Sequence, residues 1–125
     1  MSDVMAVLFN AIAQIEYNRR KPLPDHHGAY LDRMDARMDE GIEADGGVIA
    51  APDQLQRAQF VAGNLAHAIV TDDEELAAAM TTYLAVRLPD LKQVKIREHE
   101  GEIAIELVFD EDYVRQFPVQ FGKPQ

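Results

Sequence analysis

The chain lacks cysteine and tryptophan altogether, and its 125 residues include one serine, Ser2. The absence of cysteine excludes disulfides, thiolate zinc sites, iron–sulfur clusters and cysteine nucleophiles. A serine hydrolase is excluded for a similar reason, since Ser2 does not lie in the Gly-x-Ser-x-Gly turn that such enzymes use. Phosphate-binding loops are missing too, because no Gly-Lys-Ser or Gly-Lys-Thr follows Gly46 and Gly47.

Long hydrophobic segments are also absent. Near the start, residues 4–15 form the longest apolar segment, and Asn10 and Gln14 interrupt it well short of the roughly 20 residues that a membrane span needs. The residue before this segment is Asp3, whereas an export signal begins with basic residues. These features favour a soluble cytoplasmic protein that makes no contact with a membrane.

Basic residues are few, with 12 Lys and Arg against 22 Asp and Glu, and the formal net charge is −10. The acidity is concentrated in residues 32–75, which carry eleven acidic and three basic side chains. Because nucleic-acid binding depends on Lys and Arg close to the phosphates, the sequence argues against direct contact with nucleic acid. It favours a protein partner with a basic surface.

Hydrophobic residues make up 47% of the chain, enough to bury a core and to offset the entropy cost of folding. We therefore expect one α+β domain over residues 1–125, with about four helices within residues 3–88. An antiparallel hairpin at residues 92–109 and a tail at 110–125 complete the expected order of elements.

Apolar residues three and four positions apart predict the helices. The first is predicted over residues 3–20, ended by Pro22 and Pro24. The second follows a loop at 22–29, and a flexible loop at 41–51 precedes the third, which Pro52 opens. The fourth starts from a capping box at Thr71 or Asp72 and stops at Pro89. The apolar residues that carry the first two patterns are Val4, Met5, Leu8, Ile12, Ile15, Tyr30, Leu31, Met34 and Met38.

The pattern changes to strict alternation after Pro89, which predicts the hairpin. A two-residue turn at Glu100 and Gly101 places Ile96 opposite Ile105, with polar pairs on the other face. We expect the apolar face to rest on the helices, so that Ile105→Asp unfolds the chain. We also expect an exposed edge to extend the sheet across a twofold axis in a homodimer.

Few residues suggest a catalytic or metal-binding role. Asp25, His26 and His27 are possible metal ligands, but no His-x-x-x-His spacing supports them, and whether they bind a metal stays open. Glu16 and His67 are the candidate general acid and base, but a partly buried carboxyl and a hydrogen-bonded histidine at the core edge are the favoured interpretations. No cofactor is expected.

The leading hypothesis is a small acidic accessory, regulatory or assembly protein that acts through protein–protein interaction without intrinsic catalysis. An alternative is a ligand-binding or enzymatic domain with a pocket between helices and hairpin, lined by Tyr17, His67, Tyr83 and His99. A second alternative is a nucleic-acid mimic formed by the acidic groups of residues 32–45 and 72–75. The predicted interaction surface comprises Asp32, Asp35, Asp39, Glu40, Asp72, Asp73, Phe117 and Phe121.

Overall fold

The computed structural model describes residues 3–44 and 46–114. These residues form an α+β fold with three helices, a mixed four-stranded sheet and a separate two-stranded ribbon. In chain order the elements are β1 (Val4–Phe9), β2 (Ile12–Asn18), α1 (Asp25–Asp39), β3 (Ile42–Ala44), β4 (Gly47–Ile49), α2 (Gln54–Val70), α3 (Glu74–Arg87), β5 (Gln93–His99) and β6 (Glu102–Val108).

The first two elements form a β-hairpin, so the helix predicted over residues 3–20 is wrong. Strand β1 is buried on both faces from Met5 to Leu8, and a strand of this kind lacks the alternation that identifies a half-buried one. The turn is made by Asn10 and Ala11, both in the left-handed region with φ of 49° and 70°. An alanine there gives a much weaker turn signal than glycine.

The second hairpin, β5–β6, has the predicted register: Ile96 lies opposite Ile105, and the turn is at Glu100 and Gly101. Its surroundings differ from the prediction, because β5 also pairs with β1 in parallel. The sheet order is therefore β2-β1-β5-β6. The chain between the two central strands contains all three helices.

The helices begin close to their predicted positions, but their caps differ. Helix α1 begins at Asp25, inside the predicted loop at 22–29, and the loop predicted at 41–51 contains β3 and β4. The cap of α2 is Asp53, which forms a reciprocal capping box with Gln56. Asp73, rather than Thr71 or Asp72, caps α3, and α3 ends just before Pro89, as predicted.

The core lies between the sheet and the helices. Met5, Val7, Val94 and Ile96 are fully buried on this face. Helix α2 adds small buried residues to the same core, namely Ala58, Ala62, Ala66 and Ala68. The opposite face is covered in part by Tyr113, which packs on Ala6 and Leu8 and donates a hydrogen bond of 2.6 Å to Glu16 Oε2. The start of the tail, at Tyr113, therefore folds back onto the sheet.

Arg19, just after β2, binds the carboxyl end of α3. Its Nη2 donates to the carbonyl oxygen of Leu88 at 2.9 Å, and both Nε and Nη2 donate to that of Ala85 at 3.3 Å. Arg19 thus complements a helix end 66 residues away, where a cation is favoured by the helix dipole.

Candidate interaction surface

Asp35, in the middle of α1, lies in a cluster of polar side chains that includes all three helices. Its Oδ1 accepts hydrogen bonds from the Tyr83 hydroxyl at 2.5 Å and from Arg57 Nη1 at 3.1 Å. Its Oδ2 accepts one from Arg87 Nε at 2.9 Å. The Asp35 side chain is only 25% exposed, so its predicted place on an exposed acidic face is wrong.

Asp32 and Asp39 lie on the same side of α1 and are bound by the same two arginines. Arg87 Nη2 donates to Asp32 at 2.7 Å, and Arg57 donates to Asp39. Both carboxylates remain largely exposed. A nucleic-acid mimic needs an uninterrupted stripe of carboxylates, whereas here two guanidinium groups lie among them.

The cluster fixes the protonation of its two central groups. Partial burial acts to raise the pKa of Asp35, but hydrogen bonds from Tyr83, Arg57 and Arg87 outweigh it and hold the pKa below its ordinary value. Burial, reinforced by the hydrogen bond to Asp35, raises the pKa of Tyr83 to about 12. The carboxylate is thus charged and the phenol neutral at physiological pH. The cluster connects α1 to α2 and α3 through hydrogen bonds.

The other predicted interaction residues lie on separate elements. Glu40 is the C-cap residue of α1 and is exposed. Asp72 is exposed with φ of 62°, and the side chain of Asp73 accepts a hydrogen bond from the backbone N–H of Leu76. Asp45 and the stretch 115–125, with Phe117 and Phe121, lie outside the described residues.

The histidines are dispersed. His26 and His27 are exposed in the first turn of α1, their ring centroids 4.3 Å apart in an edge-to-face arrangement, and the side chain of Asp25 lies outside the described part. His67 is exposed on α2, and His99 is exposed beside the hairpin turn. Within residues 3–44 and 46–114 no group of three His, Asp or Glu is placed to hold a metal ion.

The pocket proposed from the sequence is not formed by its predicted residues. Tyr83 is fully buried, and its hydroxyl is directed to Asp35 on α1. Tyr17 packs on the core from β2, and His67 and His99 are exposed. A shared cavity would require these four side chains to converge, and they do not.

Strand β6 forms one edge of the four-stranded sheet. It pairs with β5 on one side, and no described strand pairs with its other side. In an antiparallel ladder, alternate residues of an edge strand direct their N–H and C=O groups away from the sheet. Strand β6 therefore presents a row of backbone donors and acceptors over Glu102–Val108.

Exposed apolar side chains accompany this edge. Ile103, Ile105 and Phe109 are 45%, 36% and 40% exposed, and Leu55 at the start of α2 is 52% exposed. A groove of about 450 Å³ separates Leu55 and Gln59 from the strand. We call this surface the edge strip, and its residues are Leu55, Ile103, Ile105, Leu107 and Phe109.

The edge strip is only partly visible in the sequence. Alternation identifies the strand and the face that its apolar residues share, but it also predicts that helices bury this face. Helix α2 contacts β6, but Ile103 and Ile105 are still 45% and 36% exposed. Leu55 and Phe109 were not predicted as site residues, since a single exposed leucine or phenylalanine carries no pattern.

No protein-family model, no curated protein and no solved structure matches this chain. No helix within the described ranges has both the length and the apolar character needed to cross a membrane. The class of the protein is therefore defined by its fold alone: a small α+β chain with a mixed sheet, of which the edge strand β6 adjoins an exposed apolar surface.

Proposed function

We propose that this chain acts through protein–protein contact, as a homodimeric accessory, regulatory or assembly factor rather than as a catalyst. The supporting observation is the coincidence of an unpaired backbone edge with the edge strip. Exposed apolar edge strands pair readily with other chains, and proteins normally protect them with prolines, charges or bulges. Strand β6 has no proline, and alternation along the strand places its charged residues, Glu102 and Glu106, on the face opposite to Ile103 and Ile105, while Glu106 also lines the groove.

The occupant that best fits this edge is a second copy of β6. A twofold axis through Ile105 places Ile103 opposite Leu107 of the second copy and Ala104 opposite Glu106. Moving the axis to Ala104 sets Glu102 against Glu106, and moving it to Glu106 sets that residue against itself. Like charges directly opposite are destabilising. The register centred on Ile105 avoids both arrangements and uses the whole strand.

The same axis brings the two edge strips together. An axis perpendicular to the sheet keeps the helices of both copies on one side. Leu55 borders the groove beside Ile105, so both Leu55 side chains lie near the axis. Each copy then covers the exposed Ile103, Ile105 and Phe109 of the other, and burial of this apolar surface supplies most of the affinity.

Oligomeric state measured by sedimentation or light scattering tests this proposal. The wild-type chain is expected to form a dimer that dissociates on dilution, and Ile105→Asp is expected to be a folded monomer. The expectation from sequence that Ile105→Asp unfolds the chain loses its basis, since Ile105 is partly exposed at an edge. Val48→Asp is the matched control, because Val48 is 71% exposed on β4 outside the edge strip. A wild-type monomer at all concentrations contradicts the proposal.

The register has its own test, because the chain contains no cysteine. Directly opposite residues of an antiparallel pair have Cα atoms about 4.5–5.5 Å apart, within reach of a disulfide. Ile105→Cys is therefore expected to form a disulfide-linked dimer under mild oxidation. Ile103→Cys, opposite Leu107 in the proposed register, is expected to link far more slowly. Faster linkage through Ile103→Cys means that the axis lies elsewhere.

The partner on which such a dimer acts is expected to have a basic surface. The acidic residues available to it are those at the start of α3, where Asp72, Glu74 and Glu75 are exposed and unpaired with any described cation. Retention on an immobilised basic peptide should fall with rising salt. It should also be weaker for the double variant Asp72→Asn, Glu75→Gln than for the control Glu43→Gln. Equal retention of both variants contradicts this assignment.

A further inference from the structure

A second apolar groove lies between α1 and the pair α2–α3. It encloses about 330 Å³, at the lower end of the 300–1,000 Å³ typical of small-molecule sites. Its walls are mostly unbranched or aromatic side chains, and three of them are methionines, whose flexible thioethers adapt to apolar ligands. The apolar wall residues include Tyr30, Met34, Met38, Phe60, Leu76 and Met80.

Two arginines stand at this groove. Arg37 lines it together with Asn64 of α2, and the Arg33 guanidinium lies 5.7 Å from the centroid of the Tyr30 ring. Neither arginine forms an ion pair with a carboxylate of the described residues. Helix α1 therefore has an acidic side and a basic side. On the acidic side its aspartates bind Arg57 of α2 and Arg87 of α3, and on the basic side Arg33 and Arg37 border the groove.

This distribution of charge sets the chemistry of an occupant. In a chain with a formal charge of −10, the groove is bordered by two cations that form no ion pair with a carboxylate of the described residues. An apolar cavity with cations and an amide at its rim is complementary to a molecule with a long apolar body and one anionic end. A cationic or doubly charged ligand gains nothing from the methionine and phenylalanine walls.

We propose that the groove binds a linear monocarboxylate of medium chain length, such as a medium-chain fatty acid. The alkyl chain lies among Met34, Phe60 and Met80, and the carboxylate accepts hydrogen bonds from Arg37 and Asn64. Arg33 adds to the positive potential without direct contact. This site is separate from the edge strip, so the inference stands independently of the homodimer proposed above.

Methyl NMR of the methionines with decanoate, below its micelle concentration, tests the proposal. Decanoate is expected to shift the methyl signals of Met34, Met38 and Met80 in a saturable way. Met5, buried under the sheet at 0% exposure, serves as the internal control. Decanol, which has the same chain without the charge, is expected to bind more weakly. The absence of saturable shifts in the three groove methionines overturns the proposal.

Variants separate recognition of the carboxylate from unspecific apolar binding. Arg37→Gln is expected to weaken decanoate binding by at least about tenfold, the loss expected for one charge-assisted hydrogen bond, and to leave decanol binding unchanged. Arg97→Gln, an exposed arginine on β5, is the matched control and should bind like wild type. Equal affinity of decanoate for wild type and Arg37→Gln, or equal affinity of decanoate and decanol for wild type, overturns the assignment.

Discussion

The hydroxyl of Tyr83 on α3 donates a 2.5 Å hydrogen bond to Oδ1 of Asp35 on α1. The two residues are 48 positions apart in sequence. The bond connects α1 to a fully buried residue of α3. Arg57 and Arg87 complete the hydrogen bonding of the same carboxylate. Removal of this one carboxylate therefore takes an acceptor from three donors, of which Arg57 Nη1 keeps its second acceptor, the backbone carbonyl oxygen of Asp35.

Asp35→Ala is accordingly expected to lower the free energy of unfolding by about 2–3 kcal/mol, since partly buried charged donors lose their partner. Asp32→Ala, at an exposed carboxylate bound to the same Arg87, should cost less than about 1 kcal/mol. Urea unfolding of the two variants measures the difference. Equal losses would mean that the cluster acts as an ordinary surface ion pair.

The same relationship changes the expected result of reversing Asp32, Asp35 and Asp39 to lysine together. From the sequence, where the three aspartates form one exposed face, this variant should fold almost normally. In the structure the new lysines face Arg57 and Arg87, so the triple variant should be strongly destabilised.

Alkaline titration provides a second test of the cluster. The native pKa of Tyr83 is about 12, against an ordinary value of 10.0, because burial and then the bond to Asp35 favour the neutral phenol. The raised native pKa means that the unfolded chain releases this proton first. The contribution to stability is therefore complete below pH 10 and is lost as the pH rises to about 12.

Tyr83→Phe should remove this dependence. Between pH 10 and 12 its free energy of unfolding is expected to fall less steeply than that of wild type. The tyrosinate absorbance of the native variant should lack the transition near pH 12 that belongs to Tyr83. All other groups are common to both proteins, so the difference between the two pH profiles reports on Tyr83 alone. Parallel pH profiles would show that Tyr83 ionises normally.

The elements predicted correctly from the sequence are those that a pattern of neighbouring residues defines. The alternation after Pro89 gave the register of β5–β6, and Pro89 itself marked the end of α3. The N-terminal hairpin was missed because β1 is buried on both faces, so Met5 and Leu8 repeat at an interval that also fits a helix. The evidence that β1 is a strand lies in its parallel partner β5, which is more than 80 residues further along the chain.

The cluster around Asp35 shows a similar limit of prediction from sequence. Helical spacing correctly places Asp32, Asp35 and Asp39 on one side of α1. It does not show whether that side faces water or another helix, since Arg57 and Arg87 belong to elements whose packing is set by the core. Exposure of the edge strip was not predicted for the same reason. The extent to which α2 covers β6 depends on the packing of the whole sheet, which no local pattern specifies.

Arg19 allows a test of a contact between distant parts of the chain. Its guanidinium donates to the carbonyl oxygens of Ala85 and Leu88 at the end of α3. Arg19→Ala should therefore cost about 1–2 kcal/mol of stability. Arg20→Ala is the control, because Arg20 is highly exposed and paired with Asp3, and it should cost less than about 0.5 kcal/mol. Equal effects in thermal unfolding would contradict the capping role.

The turn between β1 and β2 distinguishes the two interpretations of residues 3–20. Ala11 has φ of 70°, a conformation that strains any residue with a Cβ atom, so Ala11→Gly should stabilise the chain by about 0.5–1 kcal/mol. In a helix the same substitution would cost about 1 kcal/mol. Gly101→Ala, at φ of 83° in the other hairpin turn, should destabilise by about 1 kcal/mol. Opposite signs for the two variants in urea unfolding support the paired hairpins, and a loss of stability in Ala11→Gly would favour the helix.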